Sequence, residues 1–193
     1  MQDSANPKFD CKCCGLCCKR DPYYAVSLLD IENISKGLGL GPMEFFDRYC
    51  SVVVTPGGYR YSVILAPDGC PFLRDKLCGI HSAKPIGCWV FPESSLLPVS
   101  ELKRSVKAIP TCAILDLPES GLPLATDYSL MAERDIHFEH TKKYFEEHGE
   151  FDEPSWRKAA GDLKKILSDA EALQERSEAI REKADAALRN ALS

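Results

Sequence analysis

The chain has 193 residues, which suits one domain or one domain with an appendage. With 24 Lys and Arg against 29 Asp and Glu, its formal net charge is −5, so no overall positive field draws it to nucleic acid or anionic lipid. A hydrophobic content of 45% excludes a disordered chain, and no apolar stretch approaches the roughly 18 residues that a membrane span needs.

Ten cysteines are the unusual feature of the composition. The N-terminus lacks the basic start and apolar core of a signal peptide, so we expect a cytoplasmic protein whose thiols stay reduced. Half of the cysteines lie between Cys11 and Cys18, where adjacent residues are poorly placed to form disulfides with each other. The sequence therefore predicts thiolate ligands of a metal rather than disulfide bonds.

Local signals predict the elements of the first half. Gly15 is predicted to turn the backbone at positive φ. A short helix begins at Leu28, where Ser27 caps it, and ends at Gly37 and Gly39. A second helix begins at Pro42, and a hairpin follows with strands at 52–54 and 59–65. From Cys70 to Pro92 little is periodic, and three prolines favour irregular backbone. Such a segment needs something other than a ladder of hydrogen bonds to hold it, and a bound metal would supply that.

Helices are predicted for the last third of the chain. A strand-like stretch over 105–115 comes first, and a helix then runs from about Thr126 to His148, where Gly149 ends it. After Pro154, apolar and small residues step by three and four in the manner of a coiled-coil seam. The seam comprises Leu163, Ile166, Ala170, Leu173, Ser177, Ile180, Ala184, Ala187 and Ala191.

A continuous helix from Pro154 to the end of this seam would be about 55 Å long at about 1.5 Å per residue, which requires a partner surface. The Ala and Ser content of the seam weakens hydrophobic pairing and favours packing on the parent domain. The alternatives are self-association and a protein client that binds the helix.

Cys11, Cys14 and Cys17 form C-x2-C-x2-C, the spacing that supplies three ligands of a 4Fe-4S cluster in bacterial ferredoxins. The remaining cysteine of that pattern precedes a proline, as Cys70 precedes Pro71. Zinc knuckles also use C-x2-C pairs, and four thiolates satisfy Zn²⁺ as well. The spacing predicts a metal and leaves its identity open.

Three motifs together identify a family resemblance. They are C-x2-C-G-x-C-C at 11–18, C-x-F-L-x4-C-x-I-H at 70–81 and K-P-x2-C-x2-F-P at 84–92. Over about residues 9–115 the chain resembles the YkgJ-type cysteine-cluster proteins, the CxxCxxCC family associated with chelation of zinc or iron. The resemblance implies a ligand set of Cys11, Cys14, Cys17, Cys18, Cys70, Cys78, Cys88 and Cys112, enough for two four-coordinate centres.

Our working partition gives Cys11, Cys14 and Cys17 to one cluster with a distal cysteine, and Cys18 with the remaining distal cysteines to another. The chain departs from the family pattern at three positions: His81 replaces a usual Tyr, and Lys84 and Trp89 each replace a usual Arg. We interpret His81 as a surface residue or a hydrogen-bond donor to a ligand rather than a ligand. Cys13 is an idle thiol or a substitute ligand, and Cys50 is a buried apolar residue.

The leading hypothesis is a metal-binding protein that holds one or two iron-sulfur clusters of the 4Fe-4S type in a structural or redox role, and the first alternative is a zinc-binding structural protein. A second alternative is an S-adenosylmethionine-dependent enzyme, because flagellin lysine N-methylases carry a similar cysteine pattern. Its G-x-G-x-G candidate at 37–41 ends a predicted helix, whereas a nucleotide loop follows a strand, so we interpret it as a helix terminus.

Zinc-dependent hydrolysis is disfavoured because no H-E-x-x-H motif is present. His137 and His140, with Glu139 between them, are interpreted as part of a solvated helix face. Nucleic-acid binding is disfavoured because the cysteine loops contain few basic residues.

The expected fold class is α+β. We predict a small irregular domain stabilised by metal over residues 1–125, with short helices and a small antiparallel sheet. A helical C-terminal segment over 126–193 would pack on that domain or on a partner.

Overall fold

A computed structural model describes residues 7–12, 15, 17–19, 22–92, 97–107, 112–119, 121 and 123–192. In chain order its strands and α-helices are β1 (Tyr23–Val26), α1 (Leu28–Leu38), α2 (Pro42–Tyr49), β2 (Cys50–Val54), β3 (Arg60–Leu65), β4 (Leu73–Arg74), β5 (Leu77–Cys78), α3 (Ile86–Trp89), α4 (Val99–Ser105), α5 (Tyr128–His148), α6 (Glu153–Leu167) and α7 (Ala170–Leu192). The α+β prediction is confirmed.

Helix α1 begins and ends as the sequence predicts. Ser27 Oγ accepts the Asp30 N–H at 3.1 Å, and the Asp30 carboxylate accepts the Ser27 N–H at 2.8 Å, which together form a capping box. Gly39 ends the helix with φ of 69°, the left-handed conformation that glycine adopts at little cost. Gly41 then precedes Pro42, the first residue of α2. The interpretation of 37–41 as a helix terminus is confirmed.

A three-stranded antiparallel sheet has the order β1-β3-β2. The predicted hairpin is its β2–β3 pair, with Val52 opposite Ser62, although β2 begins two residues earlier than expected, at Cys50. Strand β1 was not predicted, because it has only four residues and no alternating pattern develops in them. Strands β4 and β5 form a separate two-stranded hairpin.

The prediction of a strand over 105–115 is wrong. Residues 99–105 form α4, and residues 113–116 form a single 3₁₀ turn; positions 108–111 lie outside the described residues. The β-branched composition of this stretch instead supplies apolar side chains to a small second cluster. Its buried members are Val99, Leu102, Val106, Ile114 and Leu124.

The predicted helix from 126 to 148 corresponds to α5, which Asp127 caps and Gly149 ends. The prediction of one continuous helix after Pro154 is wrong, because the chain breaks at Ser168 and Asp169. Ser168 Oγ donates to the Lys165 carbonyl oxygen at 2.6 Å, and Asp169 Oδ1 accepts the first-turn N–H of Ala172 at 3.1 Å. These side chains cap two helix ends that apolar periodicity alone does not separate.

Helix α7 packs along α5. The predicted seam is therefore split between two helices. Leu163 is buried in α6, Ala170 is exposed, and Ser177 is buried in α7. Association with a client or a second copy through this helix stays a prediction. Among the described helices, none combines the length and the apolar character that crossing a membrane demands.

The main core joins elements from both halves of the chain. Helices α5 and α6 contact α1, and α5 also contacts β3. Phe45 of α2, Phe145 of α5 and Leu163 of α6 are fully buried within one cluster. Cys70 and Cys78 pack against the same cluster, so the irregular cysteine segment lies on its border. The domain boundary at residue 125 stays a prediction.

Candidate metal centre

The N-terminal cysteine loop packs against the β4–β5 hairpin. Gly15 has φ of 73°, as the sequence predicts, and a Cβ at this position would lie 3.2 Å from Lys76 Cα and 3.3 Å from Leu73 Cδ1. A larger residue would therefore push the loop away from the hairpin. Residues 17–19 form a single 3₁₀ turn, and Cys11 is exposed. Cys13, Cys14 and the side chain of Cys17 lie outside the described residues.

A backbone hydrogen bond joins the two cysteine segments of the sequence. The Cys70 N–H donates to the Cys18 carbonyl oxygen at 2.7 Å. Gly69, with φ of 94°, makes the close approach possible, because its missing Cβ would lie 3.4 Å from the Cys18 oxygen and from Lys19 Cα. Two positions 52 residues apart in the sequence thus become backbone neighbours.

The β4–β5 hairpin brings Cys78 back toward the segment that contains Cys70. Leu73 pairs with Cys78, and the two turn residues, Asp75 and Lys76, have φ of 47° and 70°. Two successive left-handed residues are typical of a type I′ turn, the connection that matches the twist of a hairpin. The Leu73 N–H in turn donates to the Cys70 carbonyl oxygen at 3.1 Å.

Cys88 lies on the short helix α3, whose first N–H is held from α1. The Ile86 N–H donates to Asp30 Oδ1 at 2.9 Å, and this carboxylate is only 4% exposed. The Cys88 N–H donates to the Pro85 carbonyl oxygen at 2.8 Å. The K-P-x2-C motif is therefore one turn of helix anchored at its beginning.

Three distal thiols share one electrostatic environment. The pKa of Cys88 is raised to about 12, first by burial and then by the charges of Cys70, Asp30 and Cys78, whereas Lys84 lowers it. Burial also raises the pKa of Cys70, with Cys78 adding to the shift. Among the described cysteines, Cys70, Cys78 and Cys88 form no disulfide. A cation bound there would have to displace protons, and its charge would favour the thiolates.

Cys112 lies beside the start of the N-terminal loop. It is partly buried and packs, together with Phe9, against the second apolar cluster. Lys12 forms an ion pair with Asp116 on the 3₁₀ turn that follows Cys112, and the Ala125 N–H donates to the Pro7 carbonyl oxygen at 2.9 Å. These contacts bring the segment with Cys11 close to the segment with Cys112.

Within the described residues, no group of three or more His, Cys, Asp or Glu side chains has the arrangement of a metal site. The predicted ligands include Cys14 and the Cys17 side chain, which the description does not cover. The chemistry of the described donors suits zinc or an iron-sulfur cluster, because soft thiolates are the preferred ligands of both. The eight-cysteine ligand set stays a prediction.

The remaining candidates have other roles in the structure. Cys50 is partly buried at the start of β2, packs against the main core, and has a pKa raised to about 12 by burial, in agreement with its interpretation as an apolar residue. His81 is exposed, and its ring meets that of Trp89 edge-on at 5.9 Å. Lys84 Nζ lies 4.2 Å from the centroid of the same Trp89 ring.

The interpretation of His137 as part of a solvated helix face is wrong. Its ring is 7% exposed and Nδ1 lies 2.8 Å from Ser27 Oγ. Burial lowers its pKa to about 4, with the charge of His140 adding to the shift. Sequence reasoning missed this contact because Ser27 and His137 are 110 residues apart.

The role of Asp30 was also missed, although one signal was visible. Ser27-x-x-Asp30 before an apolar run is the pattern of a capping box. Nothing in the sequence indicates that the second carboxylate oxygen reaches Ile86.

Comparison with known proteins agrees with this assignment of the cysteine segments. Residues 10–113 match the family model CxxCxxCC, described as "Putative zinc- or iron-chelating domain". No curated protein and no solved structure matches the chain. Because the matched residues are more than half of the chain and contain all three motifs, the chain belongs to the CxxCxxCC family of zinc- or iron-chelating domains.

Proposed function

We propose that this protein holds two thiolate-bound metal centres of the 4Fe-4S type, in a structural or redox role. The observation that carries the proposal is the 2.7 Å hydrogen bond from the Cys70 N–H to the Cys18 carbonyl oxygen. It joins the two segments that are rich in cysteine, in a chain that belongs to a family of zinc- or iron-chelating domains. The proposal requires a compartment where thiols stay reduced, such as the cytoplasm.

We assign the first centre to Cys18, Cys70, Cys78 and Cys88, whose side chains are not gathered into a metal site in the described part of the chain and would converge when the metal binds. The backbone contact between residues 18 and 70 supports the first pair, and the β4–β5 hairpin supports the place of Cys78. The charges of Cys70 and Cys78 raise the pKa of Cys88, and the charge of Cys78 raises the pKa of Cys70, which supports the distal trio.

We assign the second centre to Cys11, Cys14, Cys17 and Cys112. Support comes from the contacts that bring the two segments together, namely Phe9 with the second apolar cluster and Lys12 with Asp116. Under this partition Cys112, rather than Cys70, is the fourth ligand beside the C-x2-C-x2-C run. Each centre then receives four thiolates, the number that either a 4Fe-4S cluster or Zn²⁺ requires.

We take 4Fe-4S clusters as the leading identity because C-x2-C-x2-C is the ferredoxin spacing, and zinc is the alternative because the spacing alone does not separate the two. When bound, a 4Fe-4S cluster supplies one-electron transfer, whereas four-thiolate zinc supplies a structural crosslink only. In both cases the protein supplies eight deprotonated sulfurs.

Metal and sulfide analysis of anaerobically purified protein tests the identity and the partition together. We expect about eight iron and about eight sulfide per chain in the unaltered protein. Cys88→Ala and Cys112→Ala should each lose about half of both, because each removes one centre. Cys50→Ala is the matched control, since this thiol packs against the core, and it should lose neither.

Different results would reject different parts of the proposal. Zinc without acid-labile sulfide would replace the clusters by zinc sites. Complete loss in both ligand variants would indicate one centre rather than two. Absence of any bound metal in the unaltered protein would remove the function altogether.

A further inference from the structure

The carboxylate of Asp30 joins the beginning of α1 to the beginning of α3. Its Oδ2 accepts the Ser27 N–H at 2.8 Å, and its Oδ1 accepts the Ile86 N–H at 2.9 Å. Both oxygens are thus occupied by backbone donors. The second donor lies two residues before Cys88, on the same helical turn.

Helix α1 is a firmly held support for this link. The Leu28 N–H donates to Thr141 Oγ1 at 3.0 Å, and Trp156 Nε1 donates to the Leu28 carbonyl oxygen at 3.1 Å. Ser27 and Thr141 are completely buried. The start of α1 is therefore tied to α5 and α6 as well as to its own capping box.

The segment between β5 and α4, which contains Ile86, has little regular structure of its own. Between β5 and α4 its described elements are a 3₁₀ turn at residues 81–83 and the four-residue helix α3. A helix of one turn does not hold itself together, because too few backbone hydrogen bonds offset the loss of chain entropy. An outside contact at its first N–H therefore has a large effect on where Cys88 lies.

The use of a buried carboxylate for this contact lowers the stability of the folded protein. Asp30 is 4% exposed, and burial raises its pKa to about 6 against the lowering effect of the Ser27 and Ile86 hydrogen bonds. Burial of a charge with no cationic side chain bonded to it costs stability. The gain lies in geometry, since one rigid group accepts two backbone donors from different segments.

We propose that Asp30 is a positioning residue for the metal centre that contains Cys88: it orients α3, and with it the Cys88 sulfur, before the metal binds. The inference rests on the proposed function and adds a residue outside the cysteine motifs. Preorganisation of this kind raises metal affinity, because less ordering remains to be done on binding.

Titration of the metal-free, reduced full-length protein with Co²⁺ tests this role. Cobalt bound by thiolates gives charge-transfer absorption, so the readout is independent of activity and of whether iron or zinc is the natural metal. We expect Asp30→Asn to weaken binding at one of the two centres by at least about tenfold, the effect typical of lost support around a ligand. The second centre in the same molecule is an internal control.

Thr141→Val is the matched control variant. Like Asp30→Asn it removes a buried acceptor from an N–H at the start of α1, but Thr141 has no contact with α3 among its hydrogen bonds. We expect it to lower the thermal stability and to leave both cobalt affinities unchanged. Equal weakening in the two variants would overturn the proposal, because the effect would then follow from loss of stability alone.

A second pair of variants addresses the same bond from its other end, should Asp30→Asn fail to fold. Ile86→Pro and Ile86→Ala both shorten a buried side chain, but only proline removes the N–H that Asp30 accepts. Proline is tolerated at the first position of a helix. We expect weaker cobalt binding in Ile86→Pro than in Ile86→Ala, and equal affinities would overturn the proposal.

Failure of this inference differs from failure of the proposed function. If the unaltered protein gives no thiolate-to-cobalt absorption, the metal centres themselves are wrong. If it gives that absorption and Asp30→Asn binds as tightly as the unaltered protein, only the role of Asp30 is wrong.

Discussion

Burial of neutral His137 predicts a contribution to stability that is lost in mild acid. The imidazole contacts Ser27 Oγ and has a pKa lowered from 6.5 to about 4. The unfolded chain therefore takes up a proton near pH 6.5, whereas the folded chain does not do so until about pH 4. At this residue the unfolded state binds more protons between these values, so the contribution of His137 to the free energy of unfolding falls as the pH falls. The raised pKa of Asp30, about 6, acts in the opposite direction.

The size of this loss of stability follows from the shift in the pKa of His137. When the pH falls through the whole range between the two pKa values, the contribution of His137 to the free energy of unfolding falls by about 3 kcal/mol, at about 1.4 kcal/mol per pH unit. Lowering the pH from 7 to 5 removes about 2 kcal/mol of it. Urea unfolding at these two pH values measures the loss in the unaltered protein and in His137→Gln, which keeps a hydrogen-bonding partner for Ser27 and does not titrate. Contributions of other groups cancel in the comparison. A loss that is the same in both proteins would refute the argument.

Three further predictions concern the metal, the loop and the core. Chelation of the metal should increase hydrogen exchange in residues 69–92 and leave α5 and α6 protected, because these helices are held by the main apolar core; a uniform increase would contradict this. Gly15→Ala should reduce metal content, since its Cβ would press on Lys76 Cα, and the control Gly41→Ala, with nothing within 4 Å, should not. Trp156→Phe should lower the free energy of unfolding by about 1–2 kcal/mol in urea, because the Leu28 carbonyl loses its donor; an unchanged midpoint would contradict the contact.

Local signals in the sequence identified the elements that depend on neighbouring residues. The capped start of α1 at Ser27, the left-handed end at Gly39 and the stop of α5 at Gly149 each follow from one residue and its immediate surroundings. The hairpin β2–β3 follows from its turn in the same way. These predictions held because no distant contact competes with them.

Elements that depend on distant contacts were missed. The break at Ser168 leaves the apolar periodicity almost intact, so the period alone predicts one helix where there are two. The strand predicted over 105–115 is wrong because its apolar residues, among them Val106 and Ile114, pack into a small cluster with Leu124 around the end of α4 and a 3₁₀ turn. The first error arises because periodicity does not register local caps, and the second because tertiary packing outweighs intrinsic preference.

For the candidate site, too, local patterns were informative and contacts between distant segments were not predicted. Cysteine spacing predicted a metal, because metal chemistry restricts which residues recur at short intervals, and the eight ligands that the family resemblance implies stay a prediction. It did not indicate that Cys112 lies near the segment of Cys11, or that Asp30 supports the turn of Cys88. Both depend on contacts between segments more than 50 residues apart.

X-ray absorption at the iron and zinc edges of anaerobically purified protein tests the central claim most directly. The account predicts iron with sulfur as its nearest neighbours and a second iron shell, lost in part in Cys88→Ala and in Cys112→Ala. Metal surrounded by oxygen or nitrogen, or cysteines joined in disulfides with no metal bound, would contradict it.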